Sequence, residues 1–287
     1  MTTAEYTPRI QDGKFIVLPP GVSGQIVSNL KVPESLVADD TQKYPLGTKF
    51  VSGMRTYHYC YASGTCYPQL GAYKAKKTNT VAVAPTQSTT VDAKTGVAAG
   101  KTGSYYVSVT IDAVIGVLAT GVLHANELAG GFIVIGNGSG QAPQMRQIVS
   151  HPALATTGGT LLVKVDMPLV ADVTAATTTI ELMESPFYCI VADGSGGDYV
   201  TFIGIPAAPA TSGQWVWVQT WGPCWITSNS NTCDSARDRT IVFVGNGSVE
   251  SSNDETVEDG FQIAGVALDM SGSGASNAPF VLLQIMP

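Results

Sequence analysis

The chain has 287 residues, of which 44% are hydrophobic and only 13% charged, with a formal net charge of −7. The charged share is about half the ~25% usual for a soluble domain, so the chain is either well buried or covered by neighbours. The acidic balance argues against wrapping nucleic acid, because phosphate binding needs a basic face.

The opening "MTTAEYTPRIQDGK" lacks the apolar core of a secretory signal. The longest weakly polar run, Ala113 to Ala125, is too short to span a bilayer and is broken by Gly and Thr. We expect no membrane partner. Thirty-one glycines and sixteen prolines, with abundant Thr, Ser and Val, favour strands and turns over helices.

Residues 1–44 read as an extended irregular arm, with one short strand at Phe15 to Leu18, because prolines and polar residues interrupt any period. The body then begins. In "RTYHYCYASGTCY", Tyr57, Tyr59 and Tyr61 share one parity while His58 and Cys60 take the other, a strand with two occupied faces. "TNTVAVAPTQSTTVDAKTGVAAGKTG" predicts exposed turns and short extended pieces. "SYYVSVTID" alternates as a half-buried strand.

Phe132 to Ile135 and Met145 to Val149 form a hairpin around Asn137-Gly138. "GTLLVKVDMPL", "TTTIELMESP", "YCIVADG" and "YVTFIGIP" continue the strands. "WVWVQTWGPCW" and "RTIVFVGNGSVE" follow, and two more strands close the chain. Only "ANELAG" suggests a helical turn. Short strands separated by Gly-rich turns predict an all-β fold with antiparallel sandwich or barrel elements. The body, 45–287, can divide into subdomains at about 45–125 and 126–287.

Motifs for chemistry are weak. "GVAAGKT", Gly96 to Thr102, has one residue too few between its glycines for a phosphate loop and lacks a following helix. No G-x-S-x-G elbow exists. His58, His124 and His151 are scattered, and the His124–Glu127 pair reads as a structural hydrogen bond. Asp254, Glu255, Glu258 and Asp259 crowd one loop, which reads as a solvated acidic segment rather than a Ca²⁺ site. Asn137-Gly-Ser and Asn246-Gly-Ser match the glycosylation pattern, but a turn explains both.

Cys60 with Cys66, and Cys224 with Cys233, are close enough in sequence to bridge loops, leaving Cys189 over. Unbridged thiols are the simpler reading for a chain made in a reducing cytosol. The cysteine spacing is not a zinc pattern. We expect no catalytic residue, no cofactor and no metal.

All four tryptophans, Trp215, Trp217, Trp221 and Trp225, fall within eleven positions. On an unbroken strand Trp215, Trp217 and Trp221 share a face. Val216 and Val218 make the other face apolar, so a strand covered on both sides is the first reading. A subunit contact is the second, and a carbohydrate platform the third.

The ordered landmarks "LGTKF…YHYCYASG", "ANELAGGFIVIGNGSGQAPQMRQIVSHPAL", "LLVKVDMPLV", "WVWVQTWGPCWI" and "FQIAGVALD…APFVLLQIMP" resemble a group of virion structural proteins of tailed bacteriophages. The resemblance covers Leu46 to Pro287, and "WVQTWGPC" is its best element. Residues before Tyr44, and Cys60 and Cys66, are not part of it.

The resemblance implies a non-enzymatic decoration (cement) protein on the outer capsid, bound to the major capsid protein and self-associated as a homotrimer. The alternatives are another virion component (major capsid, tail or vertex protein), or a carbohydrate-binding module built on the Trp ribbon.

Overall fold

The computed structural model describes residues 9–11, 13–19, 31–75, 81–83, 100–111, 123–137, 143–154, 159–173, 178–192, 199–229, 239–252, 262–269 and 279–287. The chain begins with β1 (Arg9–Gln11), β2 (Lys14–Val17), β3 (Lys49–Ser52), β4 (Arg55–Cys66) and β5 (Ala72–Ala75). It continues through β6 (Val81–Val83), β7 (Tyr106–Ile111), β8 (Phe132–Asn137), β9 (Gln144–Ser150), β10 (Gly159–Val165) and β11 (Thr178–Met183). It ends with β12 (Ile190–Ala192), β13 (Tyr199–Pro206), β14 (Trp215–Trp225), β15 (Thr240–Phe243), β16 (Val249–Ser251), β17 (Ile263–Asp269) and β18 (Phe280–Gln284). The fold is all-β, as the alternating patterns predict, with closed and curled antiparallel sheets.

Two compact units divide the chain. The first holds β1–β5 and β12–β18; the second, within Lys77–Ser185, holds β6–β11. The expected boundary near 125 is therefore corrected. The second unit is an insertion between β5 and β12, two strands that pair directly (Ile190 with Lys74, Val191 with Tyr73). Because both ends of the insert emerge from one strand pair, the first unit closes its sheet as if a hairpin loop stood there.

In the first unit β4, β12, β5, β13 and β14 hydrogen-bond in a ring, closed by the antiparallel β4–β14 pair. Only β12 runs parallel to its neighbour β4. Cys60, Ala62, Cys66, Ala72, Ile190, Ala192, Ile203, Val216 and Val218 form one buried cluster drawn from these five strands. A five-stranded ring is too narrow for large side chains, which accounts for the small residues inside it.

From β14 the sheet continues outward as β18, β17, β15 and β16. A second cluster, with Phe202, Ile241, Phe243, Val281 and Leu283, fills the space beneath this extension.

Of residues 1–44, the described ones (9–11, 13–19 and 31–44) do not form the expected irregular arm. β1 and β2 add to the sheet through β3. Residues 31–44 pack on their own body, with Val32 buried beside Trp217 and Asp39 exchanging backbone hydrogen bonds of 2.8 Å with Trp215. No local period announces this segment, because its partner is a strand far along the chain.

The second unit is one curled antiparallel sheet in the order β6-β11-β8-β9-β10-β7. β8, β9 and β10 are sequential neighbours, β11 returns beside β8, and β7 lies beside β10, giving two overlapping Greek keys. Val107, Leu128, Ile133, Ile148, Leu161 and Ile180 are among its fully buried residues. The expected helical turn at "ANELAG" is a series of tight turns with Asn126 at φ 63°, where the Glu127 carboxylate accepts the His124 backbone N–H at 2.9 Å.

Candidate functional site

The tryptophan ribbon is β14, which pairs with β4 on one side and with β13 and then β18 on the other. Its two faces belong to different cores. Val216 and Val218 are fully buried inside the ring. Trp217, 1% exposed, lies on the opposite face with Phe50, Tyr57 and Tyr59. Its ring centroid stands 4.9 Å from that of Tyr59, 5.1 Å from Tyr44 and 5.6 Å from Phe50. Trp215 stacks on Tyr59 at 5.6 Å. Alternation over β4 and β14 thus builds an aromatic wall, with every second residue turned into the narrow ring.

The expectation that Trp221 shares this face is overturned. Gln219 pairs with Tyr57, yet Trp221 pairs with Thr56, so β14 carries one extra residue at Thr220. One extra residue reverses the facing of everything beyond it. Trp221, Pro223 and Trp225 therefore stand on the side opposite Trp217.

Three local contacts hold the bulge. The two hydrogens of the Gln219 Nε2 amide are shared among the carbonyls of Trp221, Gly222 and Pro223, at 3.2, 3.2 and 2.9 Å. The Thr220 hydroxyl donates to the Met286 carbonyl at 2.6 Å. Gly222, at φ +95°, lies against Met54, where an added Cβ would come 2.1 Å from the Met54 carbonyl oxygen. Gln, Thr and Gly in "QTWG" are thus physically required by the turn in register.

Beyond the bulge the ribbon becomes surface. Trp225 is 53% exposed and sits directly opposite Phe280, 44% exposed, on β18. Directly opposed residues of an antiparallel pair project to the same side. On the neighbouring β17, Ile263, Val266 and Leu268 are also exposed. The outer side of β14, β18 and β17 therefore presents a run of large apolar side chains.

At its β14 end this surface borders a cleft of about 390 Å³, lined by Arg55, Tyr57, Gln69, Gln219, Trp225 and Phe280 among others. Arg55 is the cleft's one charged lining residue among those described, and its guanidinium lies 5.9 Å from the Tyr57 ring centroid. Tyr57 is 2% exposed, and its phenol is held protonated, above its ordinary range, chiefly by burial. Sequence reasoning singled out Trp225 but missed Arg55 and Phe280, which nothing local distinguishes from other strand-end residues.

The remaining candidates resolve into structure. Cys60, Cys66, Cys189 and Cys224 are buried reduced thiols. The Cys60–Cys66 bridge is thereby corrected: Cys60 Sγ donates to the His58 carbonyl at 3.5 Å, and Cys66 Sγ to that of Ile190 at 4.0 Å. Burial raises the Cys60 thiol well above its usual range and pushes Cys224 up to about 12, so neither is a thiolate nucleophile at neutral pH. Cys233, the suggested partner of Cys224, and the acidic residues Asp254, Glu255, Glu258 and Asp259 lie outside the described residues.

His151 Nε2 accepts the Leu128 N–H at 2.9 Å while Nδ1 faces the Pro152 carbonyl at 2.8 Å, a neutral ring fixed in place. The "GKT" of the rejected phosphate loop grips an internal anion. The Asp172 carboxylate accepts the Thr102 N–H at 2.8 Å and hydroxyl at 2.9 Å, and meets Lys101 Nζ at 3.0 Å. Asn246 sits in the turn between β15 and β16, its Oδ1 accepting the Ser248 N–H at 2.9 Å.

Among the described residues no group of three His, Cys, Asp or Glu is placed to hold a metal, and no helix is long and apolar enough to cross a membrane. No protein-family model, no curated protein and no solved structure matches this chain.

Proposed function

We propose that the chain is a non-enzymatic virion structural protein, a decoration (cement) protein on the outer capsid surface of a tailed bacteriophage. The partners proposed are the major capsid protein and further copies of the chain, as a homotrimer. The observation that carries this reading is the outer side of β17 and β18, where Ile263, Val266, Leu268 and Phe280 are exposed together. Single exposed apolar residues are ordinary, but a contiguous set on a rigid sheet favours a protein contact.

The low charge supports the same reading, as does the resemblance of the ordered landmarks to the phage proteins. In this reading the protein acts physically. Each copy contributes a modest apolar contact, and many copies on a symmetric lattice oppose internal pressure by avidity.

The test is the solution mass by light scattering, together with co-sedimentation on capsids stripped of decoration. We expect a trimer that co-sediments, and a loss of both properties in a Val266→Asp/Leu268→Asp double variant that keeps its far-UV spectrum. A monomeric wild type that ignores capsids would sink the proposal.

A further inference from the structure

The cleft beside Trp225 holds a set of groups that the described residues leave without partners. Tyr57 is 2% exposed and lines the cleft, yet its hydroxyl makes no hydrogen bond among the described residues. A buried hydroxyl without a partner is costly, so such groups ordinarily meet a solvent or ligand atom. Among the described residues Arg55 makes only its cation–π contact with Tyr57, and its fork of N–H donors has no acceptor there. The indole N–H of Trp225 and the side-chain amide of Gln69 also have no hydrogen-bond partner among the described residues, and both line the same cleft.

The apolar half is equally specific. Trp225 and Phe280 stand opposite one another on adjacent strands, 53% and 44% exposed. Their flat faces suit the C–H side of a pyranose ring, and the surrounding donors suit its hydroxyls. A neutral apolar peptide would leave the guanidinium and the phenol unpaired. A nucleotide phosphate would meet only one cation in a chain of net charge −7. A lone guanidinium is matched by one carboxylate, held by a two-point fork.

We infer that the Arg55–Trp225 cleft binds an acidic sugar, a uronic-acid-type pyranose whose carboxylate pairs with Arg55 while its ring stacks on Trp225. Tyr57 and Gln69 take ring or hydroxyl oxygens. This binding is separable from the assembly proposed above: the two share Phe280, but Val266 and Leu268, the residues whose substitution tests assembly, lie outside the cleft lining.

The experiment is calorimetric titration of the full chain with oligogalacturonate, its methyl ester and a polyglutamate peptide, with Trp emission as a second readout. The acid is expected to bind and to shift the emission, with the ester about tenfold weaker or worse. R55Q should bring the acid to the level of the ester, Y57F should weaken binding several-fold, and W225A should abolish it. R55K, which keeps the charge but loses the fork, should fall between wild type and R55Q and serves if R55Q proves unstable. Equal binding of acid and ester, an unaffected R55Q, binding of polyglutamate alone, or no binding at all would each overturn the inference.

Discussion

The Thr220 hydroxyl lies 3.1 Å from Nδ1 of His58, across the β4–β14 pair that closes the ring. Because that hydroxyl gives its own proton to the Met286 carbonyl, Nδ1 must carry the hydrogen and donate. His58 is therefore held as one neutral tautomer, stacked on Phe187 at 4.6 Å. The extra residue of β14, the ring closure and the last residues of the chain meet at this one imidazole.

Burial, and secondarily the charge of Lys49, lower the His58 pKa from 6.5 to about 4. The unfolded chain takes up this proton below pH 6.5, and the folded chain does so only near 4. Stability is therefore full above pH 6.5 and drains as pH falls towards 4, by up to ~3 kcal/mol. In His58→Asn the amide nitrogen replaces Nδ1–H but does not titrate. Urea unfolding at pH 7.5 and 4.5 should show a larger loss for wild type than for the variant; equal losses would remove His58 from the acid response.

The two ends of the ribbon should behave differently on truncation. Trp217 is 1% exposed between three aromatic rings, so Trp217→Ala should cost about 3–5 kcal/mol. Trp225 is 53% exposed, and Trp225→Ala should change stability by about 0.5 kcal/mol or less. Denaturant midpoints that moved alike would contradict the change of face at Thr220.

Two glycines with positive φ provide a matched pair. Gly222→Ala would drive a Cβ to 2.1 Å from the Met54 carbonyl oxygen, and backbone cannot step aside. Gly53, at φ +58°, has nothing within 4 Å of that position. We expect Gly222→Ala to cost at least about 3 kcal/mol or to prevent folding, against about 1 kcal/mol for Gly53→Ala. Thermal melts of the two proteins decide it.

In the second unit, hydrogen bonds from the Thr102 backbone and from the Lys101 and Thr102 side chains lower the Asp172 pKa to about 2. This contribution is present above the ordinary carboxylate range and is lost as pH falls towards 2. Asp172 is 40% exposed, so solvent screening reduces it, and Asp172→Asn should cost about 1 kcal/mol at pH 7. Hydrogen exchange should show faster opening at 100–104 in the variant. Unchanged protection there would mean that the backbone bonds from Val173 to Gly100 and from Gly103 to Leu169 suffice.

Local pattern determined a good deal of this protein. Alternation in "SYYVSVTID", the hairpin flanks Phe132 to Ile135 and Met145 to Val149, and the apolar runs after Tyr199 each correspond to a strand, because side-chain period and turn residues act over a few positions. The two-sided burial of Val216 and Trp217 was legible for the same reason.

Tertiary structure alone decided the rest. The packing of Asp39 on Trp215, the insertion of β6–β11 between paired strands, and the closure of β4 on β14 are pairings between distant segments, for which a window of sequence carries no signal. The cleft depends on them most. One extra residue at Thr220 turns Trp225 outward, and only the partner strands, by their register, set where that residue falls.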